Sequence, residues 1–302
     1  MRSLTLVLLA AVLGAASAGA GPPGPALSAR CRDSGDRATK LTLIAALPRS
    51  PQILILGSSR AREAEPSFLR RLTGRSGFNA AVTGGTAADA WVMTRFGADR
   101  WPSRARRYLL FVDAGIATNG IPPDLAADPR ARRYLGAEST AGRTSPCRVS
   151  RSRYRADGSI AHHYPKPPAE RARVVAKSVA EVLAHIRTHP PHAEQDNPAR
   201  YAYFERTIAF MNQHGARPVI VLNPIHPRVL AELEKYGFPK RKAALEYLGR
   251  LRRRLDFVVV DCEDIRTWGG SAANFTNATH VDRVNMRRML RYIVSHADGA
   301  LR

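Results

Sequence analysis

The pattern of apolar positions along the chain predicts a series of short buried strands. Residues 53–56 are four consecutive apolar residues, a run too short for a free-standing helix but suited to a strand buried on both faces. Four later segments have the same character, at 78–82, 108–115, 217–224 and 255–261. The chain is therefore expected to form five strands.

Segments with helical spacing alternate with these strands. They cover 65–72, 87–96, 203–214, a stretch of 229–254 that breaks near 237–239, and 283–296, while residues 38–47 form a further short helix. Strands that alternate with helices predict an α/β fold, with a parallel sheet, helices on both faces and right-handed crossovers. We expect one domain over residues 37–302.

Residues 119–197 do not fit this alternation. The stretch is too long for an ordinary connection and is rich in Pro, Arg and His. We predict an insertion on the ligand side of the sheet, with one helix at about 170–187.

The first 20 residues have the three-part layout of a secretory signal peptide: Arg2, an apolar run from Leu4 to Ala16, and small residues around Ala18. A retained membrane anchor is the alternative, but the run is shorter than the roughly 20 residues that a span needs. Residues 21–36 are rich in Pro, Gly and Ser and predict a flexible lead-in. The sequence thus predicts a secreted or cell-envelope protein without a transmembrane segment after cleavage.

Three cysteines allow one disulfide with one thiol left over, and Cys31 with Cys147 is the simplest pairing, since Cys262 follows a predicted buried strand.

The formal net charge is +22 and is carried mostly by scattered arginines. Such a surface attracts anionic polymers, although codon composition also explains an arginine bias. Export makes nucleic acid an unexpected partner, so we expect an acylated or anionic carbohydrate polymer of the cell envelope.

Residues 57–59, Gly-Ser-Ser, follow the first strand, where open α/β sheets place their ligands. Ser59 is the candidate nucleophile, although a plain turn in which Ser59 caps a helix fits the same residues. His280 lies in the loop between the fifth strand and the last helix. Because this loop lies on the same sheet edge as Ser59, we expect the two side chains to meet.

The order of these features resembles the SGNH (GDSL-type) hydrolase and acyltransferase superfamily, in particular its divergent exported branch. The resemblance implies a flavodoxin-like five-stranded parallel sheet, with Ser59 as nucleophile, His280 as general base and Asn277 in the position of the catalytic aspartate. It also implies an oxyanion hole formed by the Ser59 or Arg60 backbone N–H with that of Gly84, and with Asn119 if the turn after the third strand is longer than in the family. Ser58 and Asn277 both replace aspartates of the family pattern, and the asparagine after the third strand is out of register.

Other polar residues each allow two interpretations, one functional and one structural. Arg60 and Arg62 can bind a substrate carboxylate or phosphate, or can simply be solvated. Four residues at strand ends, Asp113, Asn223, His226 and Asp261, can line the cleft or cap helices and loops. His162 and His163 are adjacent and lack a third ligand nearby, so we expect no metal and no cofactor.

The sequence therefore predicts an exported serine esterase or O-acyltransferase that acts on an acylated cell-envelope carbohydrate. The alternative is a catalytically impaired module of the same fold that binds anionic polysaccharide through its arginines. A third reading, an exported binder of nucleic acid or anionic lipid, rests on charge alone.

Overall fold

The computed structural model describes residues 29–102, 106–113, 120–136, 154–161, 166–192 and 198–302, with the backbone alone at 29–34 and 198–200. The predicted signal peptide lies outside these ranges. So do Cys147, Asn119 and the His162–His163 pair.

Five parallel strands form the central sheet. They are β1 (Ile53–Leu56), β2 (Gly77–Asn79), β3 (Arg107–Val112), β4 (Val219–Leu222) and β5 (Val258–Asp261), in the order β2-β1-β3-β4-β5. Every pair of neighbours is parallel. This is the flavodoxin-like order, and it confirms the predicted α/β fold.

Helices cover both faces of the sheet. They are α1 (Ala29–Ala46), α2 (Pro66–Thr73), α3 (Ala87–Arg100), α4 (Pro123–Ala127), α5 (Pro129–Leu135), α6 (Pro168–Thr188), α7 (Pro198–Gln213), α8 (Pro227–Lys235), α9 (Pro239–Leu251) and α10 (Arg283–His296). Alternate residues of each strand point to opposite faces. Accordingly, Leu54 and Leu56 pack with α1, α3, α7 and α9, whereas Ile53 and Ile55 pack with α2, α6, α8 and α10.

The predicted helix boundaries are close to the observed ones for most elements. Pro239 starts α9 where the pattern broke, because proline fits the first turn of a helix and cannot continue the preceding one. The second strand is shorter than predicted and ends at Asn79, whose side chain bonds the chain that follows β1.

The flexible lead-in predicted for residues 21–36 is not what the structure shows over its last eight positions. Helix α1 begins at Ala29 and continues to Ala46, so residues 29–36 are helical. The helix is held by buried side chains on its inner face, including Leu41 and Ile44 in the core and the charged Arg37 and Lys40. Composition alone did not reveal these contacts.

The insertion contains more structure than predicted. Its long helix, α6, spans Pro168–Thr188 and places Val179 and Leu183 in the core beneath the sheet. Two short helices, α4 and α5, pack on the opposite side through Leu125 and Ala131. The insertion therefore helps to build both layers of the fold. None of the helices in the described part of the chain is both long and apolar enough to cross a membrane.

A buried charge network joins α1 to the start of α3. Arg37 is 5% exposed and donates from Nε to Asp89 Oδ1 at 2.7 Å and from Nη2 to Asp89 Oδ2 at 2.9 Å. Its Nη2 also donates to the Gly84 carbonyl at 3.2 Å, and Nη1 to Asp124 at 3.3 Å. Asp89 completes a capping box with Thr86 at the start of α3. One guanidinium thus fixes α1, α3 and the loop that precedes α3.

We predict that Arg37→Met lowers the free energy of unfolding by about 3–5 kcal/mol, because it leaves the Asp89 carboxylate buried without its partner. Urea denaturation followed by circular dichroism measures this loss. Arg253→Met, at an exposed arginine after α9, is the control and should change stability by less than about 0.5 kcal/mol. Adding Asp89→Asn to Arg37→Met should recover part of the loss, and equal stability of the Arg37→Met and Arg253→Met variants would contradict the assignment.

Candidate active site

Ser59 lies at the carboxyl end of β1, in a turn that leaves its hydroxyl unused by the backbone. The strand ends at Leu56, and Ser59–Ala61 form a single 3₁₀ turn. Ser58 caps this turn, since its side-chain oxygen accepts from the Arg60 N–H at 3.4 Å. The capping role that sequence allowed for Ser59 is therefore taken by Ser58.

Two glycines allow the loop after β2 to lie against this turn. A Cβ on Gly85 would lie 2.4 Å from the Gly57 carbonyl oxygen, well inside contact distance. Gly57 has φ of +139°, and a Cβ there would lie 2.9 Å from the Phe111 carbonyl oxygen. Backbone therefore packs on backbone at the base of the turn that carries Ser59.

His280 reaches Ser59 from the other end of the chain. The Ser59 Oγ to His280 Nε2 distance is 2.8 Å, although the two residues are 221 positions apart in sequence. His280 follows a short 3₁₀ turn (Ala272–Asn274) and precedes α10. Both side chains are partly buried. The structure thus brings together the predicted nucleophile and the predicted base.

Asn277 lies behind the histidine, and the backbone fixes the orientation of its amide. Its Oδ1 accepts the Thr279 N–H and the His280 N–H, each at 2.9 Å. Only the oxygen can accept these bonds, so the amide cannot be turned around. His280 Nδ1 lies 3.0 Å from the same oxygen and 3.0 Å from Thr279 Oγ1.

This arrangement selects the tautomer of His280. Because Nδ1 faces an amide oxygen that only accepts, Nδ1 carries the ring proton. Nε2 is then free to accept the Ser59 hydroxyl proton. An asparagine at this position therefore orients the imidazole as an aspartate would, but supplies no negative charge to an imidazolium.

The surroundings of His280 disfavour its protonated form. Burial, followed by the nearby positive charges of Arg60 and Arg62, lowers the pKa of His280 from 6.5 to about 4, although Asp113 opposes the shift. The imidazole is therefore neutral at pH 7 and can accept a proton. The contribution of this residue to folding stability is present above pH 6.5 and is lost as the pH falls towards 4, because the unfolded chain then binds the proton more readily.

Asp282, the nearest carboxylate in sequence, is used elsewhere. Its side chain caps α10 by accepting the Val284 N–H at 2.9 Å and the Asn285 N–H at 3.0 Å, and it pairs with Arg171 at 3.3 Å. The carboxylate is buried at the helix start. It is a structural cap, whereas Asn277 and Thr279 are the residues that contact Nδ1 of His280.

The predicted oxyanion hole is described only in part. Within the described part of the chain, neither the Ser59 N–H nor the Gly84 N–H has a hydrogen-bond partner, so both can donate to a ligand. Gly84 is exposed beside the turn, and its carbonyl is held by Arg37. Asn119 lies outside the described residues.

Arg60 and Arg62 differ in how they are used. Arg60 points into the protein and donates to Thr279, Asp113 and Pro224. Arg62 donates from Nη1 to Thr83 Oγ1 at 2.7 Å and lies 3.6 Å from Asp36. Its Nε is buried and has no hydrogen-bond partner among the described residues.

The polar residues at the other strand ends take supporting roles. Asn223 donates to Asp113 at 2.9 Å, and Asp261 pairs with Arg241. His226 caps α8, where burial and then Arg228 lower its pKa. Asp113 is linked to the site through Arg60, which directly follows Ser59.

Three supports of the site were missed by sequence reasoning. Asp36 accepts the Thr83 hydroxyl at 2.6 Å and the Thr83 N–H at 3.2 Å, and Arg37 holds Gly84. Asn79 is fully buried and donates to the carbonyls of Ala61 at 3.0 Å and Ala64 at 2.8 Å, which fixes the chain after Ser59. The only sequence signal for Asn79 was a polar residue inside the predicted strand 78–82.

Comparison with protein families and with curated proteins does not extend the description of this site. No protein-family model matches the chain, and a search of curated proteins finds no significant match. Among the described residues, no group of three or more His, Cys, Asp or Glu side chains is arranged to hold a metal ion. The class of protein is thus defined by the fold and the site alone: a flavodoxin-like α/β protein with a Ser-His-Asn arrangement at the carboxyl edge of its sheet.

We predict that Asn277→Asp raises the pKa of His280 by roughly 1–3 units from its value of about 4, because a carboxylate at this position favours the imidazolium. The two backbone N–H groups that hold the amide oxygen would hold a carboxylate oxygen equally well. NMR titration of the histidine ring protons measures the shift, with His280→Ala used to assign the signal. Asn277→Ala is the matched control and should lack this rise; a downward shift in Asn277→Asp would contradict the geometry.

Proposed function

We propose that this protein is a serine esterase or O-acyltransferase of the SGNH type that acts on an acylated cell-envelope carbohydrate. The observation that carries the proposal is the 2.8 Å contact between Ser59 Oγ and His280 Nε2, with Asn277 behind the ring. The sheet order and the position of Ser59 after β1 support the family resemblance. The substrate class rests on the predicted signal peptide and the net charge of +22.

In the first half of the reaction, Ser59 Oγ attacks the ester carbonyl carbon while His280 Nε2 takes the hydroxyl proton. The carbonyl oxygen becomes an oxyanion and accepts hydrogen bonds from the Ser59 and Gly84 N–H groups. The intermediate then breaks its bond to the sugar oxygen, which takes the proton from His280 Nε2. The acyl group remains on Ser59.

In the second half, water or an acceptor hydroxyl attacks the acyl carbon and gives its proton to His280 Nε2. Release of the acid or the new ester returns this proton to Ser59 Oγ. The imidazolium forms in both halves without a carboxylate behind it and with Arg60 and Arg62 nearby. The site therefore supports slow turnover, and Asn277→Asp is expected to increase the rate of ester hydrolysis by roughly 10-fold or more.

Labelling with a fluorophosphonate probe tests the proposal, because the probe forms a covalent bond only with an activated hydroxyl. We expect slow labelling of the wild type, none in Ser59→Ala, and a rate lower by about 10²–10⁴-fold in His280→Ala. Ser67→Ala, at an exposed serine on α2, should label like the wild type. Hydrolysis of a small acetyl ester by the same variants should follow the same order. Equal labelling of the wild type and Ser59→Ala would remove Ser59 from the mechanism.

A specific observation also favours the second candidate function, binding of an anionic polysaccharide. Three arginines surround the Phe68 ring, with guanidinium carbons at 5.0 Å for Arg71, 5.5 Å for Arg287 and 5.2 Å for Arg291. We call these four residues the Phe68 surface. Arg287 pairs with Glu65, while Arg71 and Arg291 are exposed and have no acidic partner in the described part of the chain.

The Phe68 surface suits a polyanion because its charges are held in place. Stacking on the ring restricts each guanidinium, so less side-chain freedom is lost when an anionic group binds. An open groove lies beside it, between α10 and the turn at Trp268 and Gly269, and is lined by Trp268, Gly269, Arg288, Arg291, Tyr292 and Ser295. Arg291 belongs to both, so one extended chain can contact the surface and the groove together.

We expect Arg71→Gln with Arg291→Gln to weaken binding of polygalacturonate by roughly 10-fold or more and to lower its salt dependence, since fewer counterions are released. Binding is measured by fluorescence anisotropy between about 50 and 200 mM NaCl. Arg252→Gln with Arg253→Gln removes the same charge at exposed positions after α9, on the opposite side of the sheet, and is the matched control. Equal losses of affinity in the two double variants would show that net charge alone attracts the polymer. Ser59→Ala should bind the polymer as the wild type does.

A further inference from the structure

Arg60 directly follows the nucleophile, yet its side chain is directed away from solvent. The side chain is 14% exposed. Its Nε donates to the Thr279 carbonyl at 2.9 Å, its Nη1 pairs with Asp113, and its Nη2 donates to the Pro224 carbonyl. All three nitrogens of the guanidinium are therefore engaged within the protein.

These three acceptors lie on different parts of the fold. Asp113 follows β3, Pro224 lies just after β4, and Thr279 directly precedes His280. Arg60 itself follows β1. One planar group thus links the carboxyl ends of three adjacent strands to the loop that carries the catalytic base.

Asp113 is itself held in place. Asn223, which is 2% exposed, donates from Nδ2 to Asp113 Oδ1 at 2.9 Å. Asn223 is fixed in turn by its own N–H, which donates to the Val112 carbonyl at 2.9 Å. The acceptor for Arg60 Nη1 is therefore tied to both β3 and β4.

We propose that Arg60 is a positioning residue, which fixes the His280 loop against the nucleophile turn so that the imidazole meets the Ser59 hydroxyl. This role differs from the substrate-binding role that sequence suggested for Arg60. Arg62, by contrast, has an Nε without a hydrogen-bond partner in the described part of the chain. The positive charge of Arg60 also adds to the effect of burial, which is the larger cause of the lowered pKa of His280. The inference rests on the proposed function only for its activity measurement.

An arginine is needed for the geometric part of this role. Its donors point in three directions in one plane and can meet two backbone carbonyls and a carboxylate at once. A lysine ammonium keeps the charge but cannot span the three acceptors from one point. Comparison of Arg60→Lys with Arg60→Gln therefore separates the effect of geometry from the effect of charge.

The experiment measures ester hydrolysis against pH, together with NMR titration of His280, for the wild type, Arg60→Lys and Arg60→Gln. Arg253→Gln is the surface control. We expect both Arg60 variants to lose roughly 100-fold in kcat with little change in KM, because the base is displaced while substrate contacts remain. Arg60→Gln should also raise the pKa of His280 from about 4 towards 6.5, which moves the acid limb of the rate profile to higher pH. Arg60→Lys keeps the positive charge and should therefore move the acid limb less than Arg60→Gln does.

Amide hydrogen exchange provides a measurement that does not depend on activity. The Thr276 N–H donates to the His280 carbonyl at 2.8 Å, and its exchange should speed up in both Arg60 variants but not in Arg253→Gln. If the wild type shows no esterase activity, the proposed function fails while this test of Arg60 still stands. Unchanged loop exchange with activity within about 2-fold of the wild type in both Arg60 variants would overturn the inference.

Discussion

The constraint on which the site depends is the absence of space for a Cβ where the loop after β2 meets the turn after β1. Gly85 lies against the Gly57 carbonyl, and Gly57 lies against the Phe111 carbonyl of β3. Three neighbouring strand ends are thereby brought into backbone contact. The distance from Ser59 to every other group at this edge follows from that contact, since a larger residue at either glycine would move the turn as a whole.

The geometry of the site also depends on two largely buried arginines, each of which bonds to several parts of the fold. Arg37 joins two helices to the loop of Gly84, and Arg60 joins three strand ends to the loop of His280. Both side chains are largely buried, and both meet carboxylates as well as backbone carbonyls. Some of the arginines that the sequence suggests are surface charges therefore form internal links between strands, helices and loops. They can do so because a planar guanidinium donates to several acceptors at once.

The fold could be predicted from sequence because its signals are local. Short apolar runs separated by helical periodicity specify a parallel sheet, and the boundaries of α10 were predicted without error. The meeting of Ser59 with His280 was also predictable, since parallel strands place their carboxyl ends together. The roles of Arg60, Asp36 and Asn79 could not be predicted, because each depends on which carbonyls and hydroxyls lie nearby after folding. The helix over residues 29–36 was not predicted for the same reason, because contacts with residues distant in sequence hold it in place.

Cys262, at the end of β5, has a consequence for the chemistry of the other thiols. The side chain is fully buried and unpaired, and burial, followed by the nearby Asp261, raises the pKa of its thiol well above the usual value. Disulfide exchange requires a thiolate that can reach its target, and Cys262 provides neither the charge nor the access once β5 has joined the sheet. Once the sheet is complete, one of the three cysteine thiols of the chain is therefore withdrawn from disulfide exchange.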